Sequence, residues 1–116
     1  MPTRIIFALA ALLLAAACGH MPPLTAQQSG NVADGRRLAE VYCATCHAIG
    51  ATGESRHPMA PHFRTLSRAY PVESLSEAFA EGILVGHPDM PEFQLEPAEI
   101  DALLAYIQSV QERRAG

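Results

Sequence analysis

The chain has 116 residues, with twelve acidic and eight basic side chains and a formal net charge of −4 at pH 7. This length favours a single domain. The acidic balance argues against nucleic acid as a partner, because affinity for a phosphate backbone depends on clustered positive charge.

Residues 1–26 have the pattern of a secretory signal peptide. Arg4 supplies the single positive charge, and an unbroken apolar run from Ile5 to Ala17 follows it. As a helix, this run would cover about 20 Å, which is less than the roughly 30 Å core of a bilayer. The segment therefore predicts secretion rather than a permanent membrane span.

Cys18 ends the apolar run and leaves two interpretations open. In one, it is the lipidated first residue of a lipoprotein, and residues 19–30 form a flexible tether to the membrane. In the other, cleavage follows Ala26, and residues 27–30 are a linker. In both, residues 31–116 form the folded domain.

The first predicted helix covers about Val32–Cys43. Asn31 can cap its N-terminus, and Gly35 lies inside it. A glycine in a helix costs about 0.5–1 kcal/mol relative to alanine, so we expect it to permit a close helix crossing. The predicted buried face contains Leu38, Val41 and Tyr42.

Two further helical segments are predicted in the middle of the chain. A short helical turn lies between Pro61 and Arg68, with the proline at its first position. A helix follows over about Val72–Glu81, with a Ser74–Glu77 capping box and Gly82 as its stop. Its predicted buried stripe contains Leu75, Ala78, Phe79 and Ile83.

The last predicted helix covers about Pro97–Glu112. Pro97 suits the first position, and Arg113 and Arg114 suit the C-terminal end of the helix dipole. Its apolar residues recur at i, i+3, i+4 and i+7: Ile100, Leu103, Leu104, Ile107 and Val110. With no alternation typical of strands, the predicted fold is all-α, with the first and last helices crossing at Gly35.

The segment Cys43-Ala44-Thr45-Cys46-His47 carries the chemistry. Two thiols at this spacing with a histidine directly after them are typical of covalent haem attachment, with the histidine as proximal iron ligand. A thioredoxin-like pair would need a βαβ context, and a zinc site would need a second ligand pair, although no cysteine follows Cys46. A disulfide would leave His47 unexplained.

The second axial position of the iron has several possible ligands. Met90 is favoured because prolines flank it at positions 88 and 91 and make a stiff loop, which leaves little entropy to lose on ligation. A thioether sulfur also favours ferrous iron. Met59 is the alternative methionine, and His57, His62 and His87 are less favoured because they lie in polar, proline-rich loops.

A proximal histidine commonly donates its other ring N–H to a backbone carbonyl, which fixes the ring's orientation. We expect Pro61 to supply that carbonyl to His47, with Pro58 as the second choice.

These features make the chain resemble the class I monohaem cytochromes c, in particular the short bacterial periplasmic ones. The resemblance covers about residues 31–111 and depends on Gly35, the Cys43–His47 segment, Pro61, Gly86–Pro91 and Leu103–Ile107. It implies the cytochrome c fold, with the first and last helices crossing near a glycine and an aromatic residue, here Gly35 and Tyr106. It also implies Cys43 and Cys46 as attachment sites for one haem c, and His47 and Met90 as axial ligands.

The resemblance implies a periplasmic one-electron carrier with redox protein partners and no enzymatic activity. The alternatives are a dedicated haem subunit of a dehydrogenase or oxidase complex, and an open-site haem sensor or peroxidase. Three features differ from many relatives: the chain has no Trp, all its basic residues are Arg, and Ala39 occupies a position that is often aromatic.

Overall fold

A computed structural model of the protein describes residues 24–82, 88–92 and 94–113, with side chains from residue 31 onward. Three α-helices form the fold: α1 (Leu24–Tyr42), α2 (Leu75–Glu81) and α3 (Pro97–Ser109). Two 3₁₀ helices, Phe63–Arg68 and Val72–Ser74, lie between α1 and α2. The described residues contain no strand, which confirms the all-α prediction. The predictions that fall outside these residues concern most of the signal segment and Cys18, Ile83, Gly86, His87 and Arg114.

The close crossing of α1 and α3 at Gly35 is confirmed. A Cβ built on Gly35 would lie 1.9 Å from the carbonyl oxygen of Ala102 and 2.8 Å from Cβ of Tyr106. Only a residue without a side chain allows the two backbones to approach this closely. The crossing therefore joins the first and last helices of the domain.

The predicted buried face of α1 is wrong in two of its three residues. Val41 is 71% exposed and Tyr42 is 47% exposed, whereas Ala39 is completely buried. The buried stripe instead contains Gly35, Ala39 and Cys43, spaced four residues apart on the helix. Because the helices approach so closely, small residues occupy the contact and larger apolar ones lie beside it.

The predicted start of α1 at about Val32, with Asn31 as its cap, is also wrong. The helix begins at Leu24 and passes through residues 27–30 and Asn31 without interruption. Asn31 is therefore an interior residue, and Gly30 before it is accommodated within the helix at the modest cost given above.

The middle segments are close to their predicted positions, with two corrections. Pro61 precedes the first 3₁₀ helix and is not part of it, since that helix begins at Phe63 with His62 as its N-cap. Ser74 makes no side-chain cap, because its backbone is already helical (φ −65°, ψ −15°) and continues from the Val72–Ser74 turn into α2. Gly82 does end α2, with the left-handed φ of 66° that favours glycine.

The start of α3 at Pro97 is confirmed, and the preceding Glu96 forms a capping box with Glu99. The helix ends at Ser109, earlier than predicted, and has no basic residue in its last turn. The predicted dipole interaction of Arg113 is therefore absent.

The early end of α3 frees two residues to bind the first 3₁₀ helix. The side chain of Gln111 accepts from the Ser67 N–H (2.8 Å) and donates to the carbonyl of Phe63 (2.6 Å). The backbone N–H of Glu112 donates to the carbonyl of Arg64 (2.8 Å). These contacts satisfy backbone groups that a longer α3 would leave unpaired.

The core lies between α1, α3 and the segments that connect them. Leu103 and Ile107 of α3 are almost completely buried, and Leu75 and Phe79 of α2 pack into the same cluster. Phe63 and Leu66 join it from the first 3₁₀ helix. One side of this cluster faces a cavity beside the end of α1.

Candidate functional site

The Cys43–His47 segment continues the last turn of α1. The Cys43 N–H donates to the carbonyl of Ala39 (2.9 Å), and the His47 N–H donates to the carbonyl of Cys43 (2.9 Å). This helical turn keeps residues three and four apart on one side. Cys43, Cys46 and His47 consequently all line the cavity, as their spacing predicts.

Cys43 and Cys46 are not joined by a disulfide and lie in different surroundings. Cys46 is partly exposed, whereas Cys43 is buried and burial raises the pKa of its thiol to about 12. A thiol with that pKa is protonated at neutral pH, whereas a thioredoxin-like redox cysteine needs a lowered pKa. Among the described residues, no group of three or more metal-ligating side chains suggests a zinc site either.

His47 is held in one orientation by the loop that follows it. Its Nδ1 lies 2.8 Å from the carbonyl oxygen of Pro61, the partner that the sequence predicts. Because a carbonyl only accepts, Nδ1 carries the hydrogen and Nε2 keeps its lone pair available for a metal. The ring of Phe63 lies beside the imidazole, with 5.4 Å between the ring centroids.

The loop that carries Pro61 is fastened on both sides of this contact. The Phe63 N–H donates to the carbonyl of Ala48 (3.0 Å), and the Ala48 N–H donates to Oγ of Ser55 (3.0 Å). The hydroxyl of Tyr106 donates to the carbonyl of Ile49 (3.1 Å), which ties the same segment to α3. The position of His47 therefore depends on three separate parts of the chain.

Met90 lines the same cavity as His47. It follows the turn at Pro88–Asp89 and is partly buried, whereas the rival Met59 is 66% exposed on the cavity's rim. A partly buried thioether on a proline-flanked turn is the better suited of the two to hold a metal.

Two of the histidines considered as alternative ligands have carboxylate partners. His57 Nδ1 accepts from the Met59 N–H (3.1 Å), and its Nε2 lies 3.2 Å from Oδ2 of Asp89. His62 Nε2 lies 3.2 Å from Oε2 of Glu54. These contacts give the rings of His57 and His62 partners in the loops that carry them.

The cavity has a volume of about 300 Å³ and a largely apolar lining. That volume lies in the usual range for cofactor sites. Its donor set of an imidazole nitrogen, a thioether sulfur and two thiols, set among apolar walls, fits a covalently attached haem. The apolar walls include Phe63, Leu66, Leu75, Phe79 and Ile107.

Some of these residues are not evident from the sequence. Asp89 contacts His57 although 32 positions separate the two residues, so no local sequence pattern indicates this pair. The sequence indicates Phe63 only weakly, through its position two residues after Pro61. In the structure, both Pro61 and Phe63 contact His47.

Comparison with known proteins identifies the family. The family model described as Cytochrome c matches residues 32–111. The chain belongs to the cytochrome c family. A curated relative, cytochrome c-552 of Bradyrhizobium diazoefficiens, is 33% identical over 99 residues, which are 85% of this chain and 89% of the relative. No solved structure matches the chain.

Membership of the cytochrome c family makes the chain a haem-dependent electron carrier rather than an enzyme. Redox proteins are accordingly its class of partner. Within the described residues, no helix is sufficiently long and apolar to cross a membrane.

Proposed function

We propose that this cytochrome c family member is a periplasmic one-electron carrier with one covalent haem c, ligated by His47 and Met90. The observation that carries this proposal is the hydrogen bond between His47 Nδ1 and the Pro61 carbonyl, at a cavity that two thiols and Met90 also line. The predicted signal segment supports export to the periplasm.

Cys43 and Cys46 supply the covalent attachment. Each thiol adds across a vinyl group of the porphyrin, so that sulfur bonds to one vinyl carbon and the hydrogen goes to the other. The addition consumes no oxidant and releases nothing, and the product's mass is therefore the sum of polypeptide and haem. The helical turn from Ala39 to His47 holds both sulfurs on the side of the cavity where the imidazole lies.

His47 and Met90 set the properties of the iron. When bound, haem supplies an iron that cycles between the ferric and ferrous states. The Pro61 carbonyl keeps the hydrogen on Nδ1 of His47 and raises the basicity of Nε2. The soft sulfur of Met90 and the apolar walls favour the ferrous state, and they raise the reduction potential.

Substitution of Met90 tests the axial assignment. We expect Met90→Ala to keep its haem but to bind added imidazole at least about tenfold more tightly in the ferric state, because the second axial position opens. The reduction potential should fall at the same time. The matched control is Met59→Ala, which removes the exposed methionine of the same cavity and should change neither quantity.

Two results would contradict the proposal. A purified mature protein without a pyridine haemochrome, and with the mass of bare polypeptide, would exclude the covalent cofactor. A wild-type protein that already binds imidazole or carbon monoxide as readily as Met90→Ala would indicate an open-site haem protein. The same intact mass distinguishes cleavage after Ala26 from lipidation at Cys18.

A further inference from the structure

A histidine outside the haem motif links the two sides of the site. His57 lies in the loop between the Cys43–His47 segment and Pro61, and Asp89 directly precedes Met90. Nε2 of His57 lies 3.2 Å from Oδ2 of Asp89, across 32 positions of sequence. This pair connects the loop on the His47 side to the turn that carries Met90.

His57 is itself attached to the Cys43–His47 segment. Its backbone N–H donates to the carbonyl of Cys46 (3.1 Å), and its carbonyl accepts from the Ala60 N–H (3.1 Å). The Met59 N–H donates to Nδ1 of the ring (3.1 Å). The ring is therefore held by backbone groups on its own loop before it reaches Asp89.

These contacts determine the direction of the bond to Asp89. Because Nδ1 accepts from the Met59 N–H, the hydrogen of a neutral ring lies on Nε2. Nε2 then donates to the Asp89 carboxylate, and a hydrogen bond to a charged acceptor is stronger than one between neutral groups. The side chain of His57 is 30% exposed and that of Asp89 is 64% exposed, so solvent weakens the pair without removing it.

We propose that His57 is a positioning residue that holds the Asp89–Met90 turn over the cavity and so keeps the Met90 thioether at the iron. The inference depends on the proposed function, because it requires Met90 to be the axial ligand. The inference adds that His57 affects how often Met90 dissociates from the iron. A turn held by one more hydrogen bond opens less often, and the iron is then exposed to other ligands less often.

The test measures how easily an added ligand displaces Met90. In haem-loaded ferric protein, His57→Leu and Asp89→Ala should each bind imidazole about three- to tenfold more tightly than wild type. The double variant should bind no more tightly than the tighter single variant, since both changes remove the same bond. His57→Gln keeps an N–H donor near the position of Nε2 and should stay within about twofold of wild type.

The chain contains a matched control for the loss of a histidine–carboxylate pair. His62 Nε2 lies 3.2 Å from Oε2 of Glu54, and its side chain is 26% exposed. This pair has the same length as His57–Asp89 and a similarly exposed histidine, although Glu54 (85% exposed) is more exposed than Asp89 (64%), and it does not reach the Met90 turn. We expect His62→Leu to leave imidazole affinity within about twofold of wild type.

The outcomes separate this inference from the proposed function. If wild type resists imidazole and Met90→Ala does not, but His57→Leu behaves like His62→Leu, the positioning role is wrong and Met90 ligation stands. Additive effects of His57→Leu and Asp89→Ala would also contradict it. If wild type binds imidazole as tightly as Met90→Ala, both proposals fail. Should His57→Leu not fold, Asp89→Ala decides alone, because its side chain is largely exposed.

Discussion

At the scale of single residues, Tyr106 shows how one side chain serves both the fold and the site. It is buried on α3 beside Gly35, and its hydroxyl donates to the carbonyl of Ile49, two residues after His47. The phenol ring therefore fills the helix crossing while its hydroxyl holds the segment that follows the haem motif.

Replacement of Tyr106 by phenylalanine tests this double role. We expect Tyr106→Phe to lower the free energy of unfolding by about 1 kcal/mol at neutral pH, because the Ile49 carbonyl loses its donor. Denaturant unfolding measures the difference. Tyr70→Phe is the control: no hydrogen bond of the Tyr70 hydroxyl is present among the described residues, and the change should cost less than about 0.5 kcal/mol.

The same variant has a defined pH dependence. Burial raises the pKa of Tyr106 above its ordinary value of 10.0, so the folded state favours the neutral phenol. This contribution to stability is complete below pH 10 and is lost as the pH rises beyond it. The stability difference between wild type and Tyr106→Phe should consequently shrink above pH 10, and a constant difference would contradict the assignment.

The sequence reveals those site residues whose chemistry is local. The spacing of Cys43, Cys46 and His47 is set by covalent attachment, and the prolines around Met90 are adjacent to it. The contact between His47 and Pro61 can also be predicted from the sequence, since a proximal histidine needs a nearby carbonyl. The His57–Asp89 pair cannot be predicted in this way, because it depends on how two separate loops meet in the folded chain.

At the scale of elements, the positions of the helices follow from periodicity, but some faces and ends do not. α3 was predictable because its large apolar residues repeat regularly, and Ile100, Leu103 and Ile107 among them are buried. The buried face of α1 was not, since a crossing at Gly35 favours small residues such as Ala39 over Val41. The end of α3 at Ser109 depends on the tertiary contacts of Gln111 and Glu112, which periodicity does not show.

Enlargement of Gly35 tests the crossing. We expect Gly35→Ala to destabilise the protein by at least about 2 kcal/mol, because the added Cβ would lie 1.9 Å from the Ala102 carbonyl oxygen and the helices must separate. Thermal and denaturant unfolding of the haem-loaded protein measure the loss.

Gly50→Ala is the matched control for this experiment. A Cβ at Gly50 would lie 3.7 Å from the Thr52 carbonyl oxygen, which is an ordinary contact distance. The change should therefore be nearly neutral. Equal stability of Gly35→Ala and Gly50→Ala would show that the two helices do not approach as closely as described.

At the scale of the whole molecule, the cofactor site and the core are continuous. Phe63, Leu66, Leu75, Phe79 and Ile107 belong to the hydrophobic core and also line the cavity. A domain the size of the predicted one, residues 31–116, buries only a marginal core by itself. We therefore expect haem to act as a structural part of the core.

Removal of both attachment sites tests this dependence. We expect Cys43→Ala/Cys46→Ala to lose haem, most of its helical circular dichroism and its cooperative thermal transition, because the apolar cavity walls become exposed to water. Cys46→Ala alone keeps one thioether site and should retain more structure. A haem-free double variant with full helicity and cooperative unfolding would contradict the expectation.

The crossing at Gly35 also constrains the order of events during biosynthesis. The partner of α1 is made later, since Ala102 and Tyr106 lie far after Gly35 in the sequence. Until α3 has been synthesised, the first helix cannot form this crossing. We therefore expect Cys43, which is buried in the folded chain, to be more accessible before the crossing has formed.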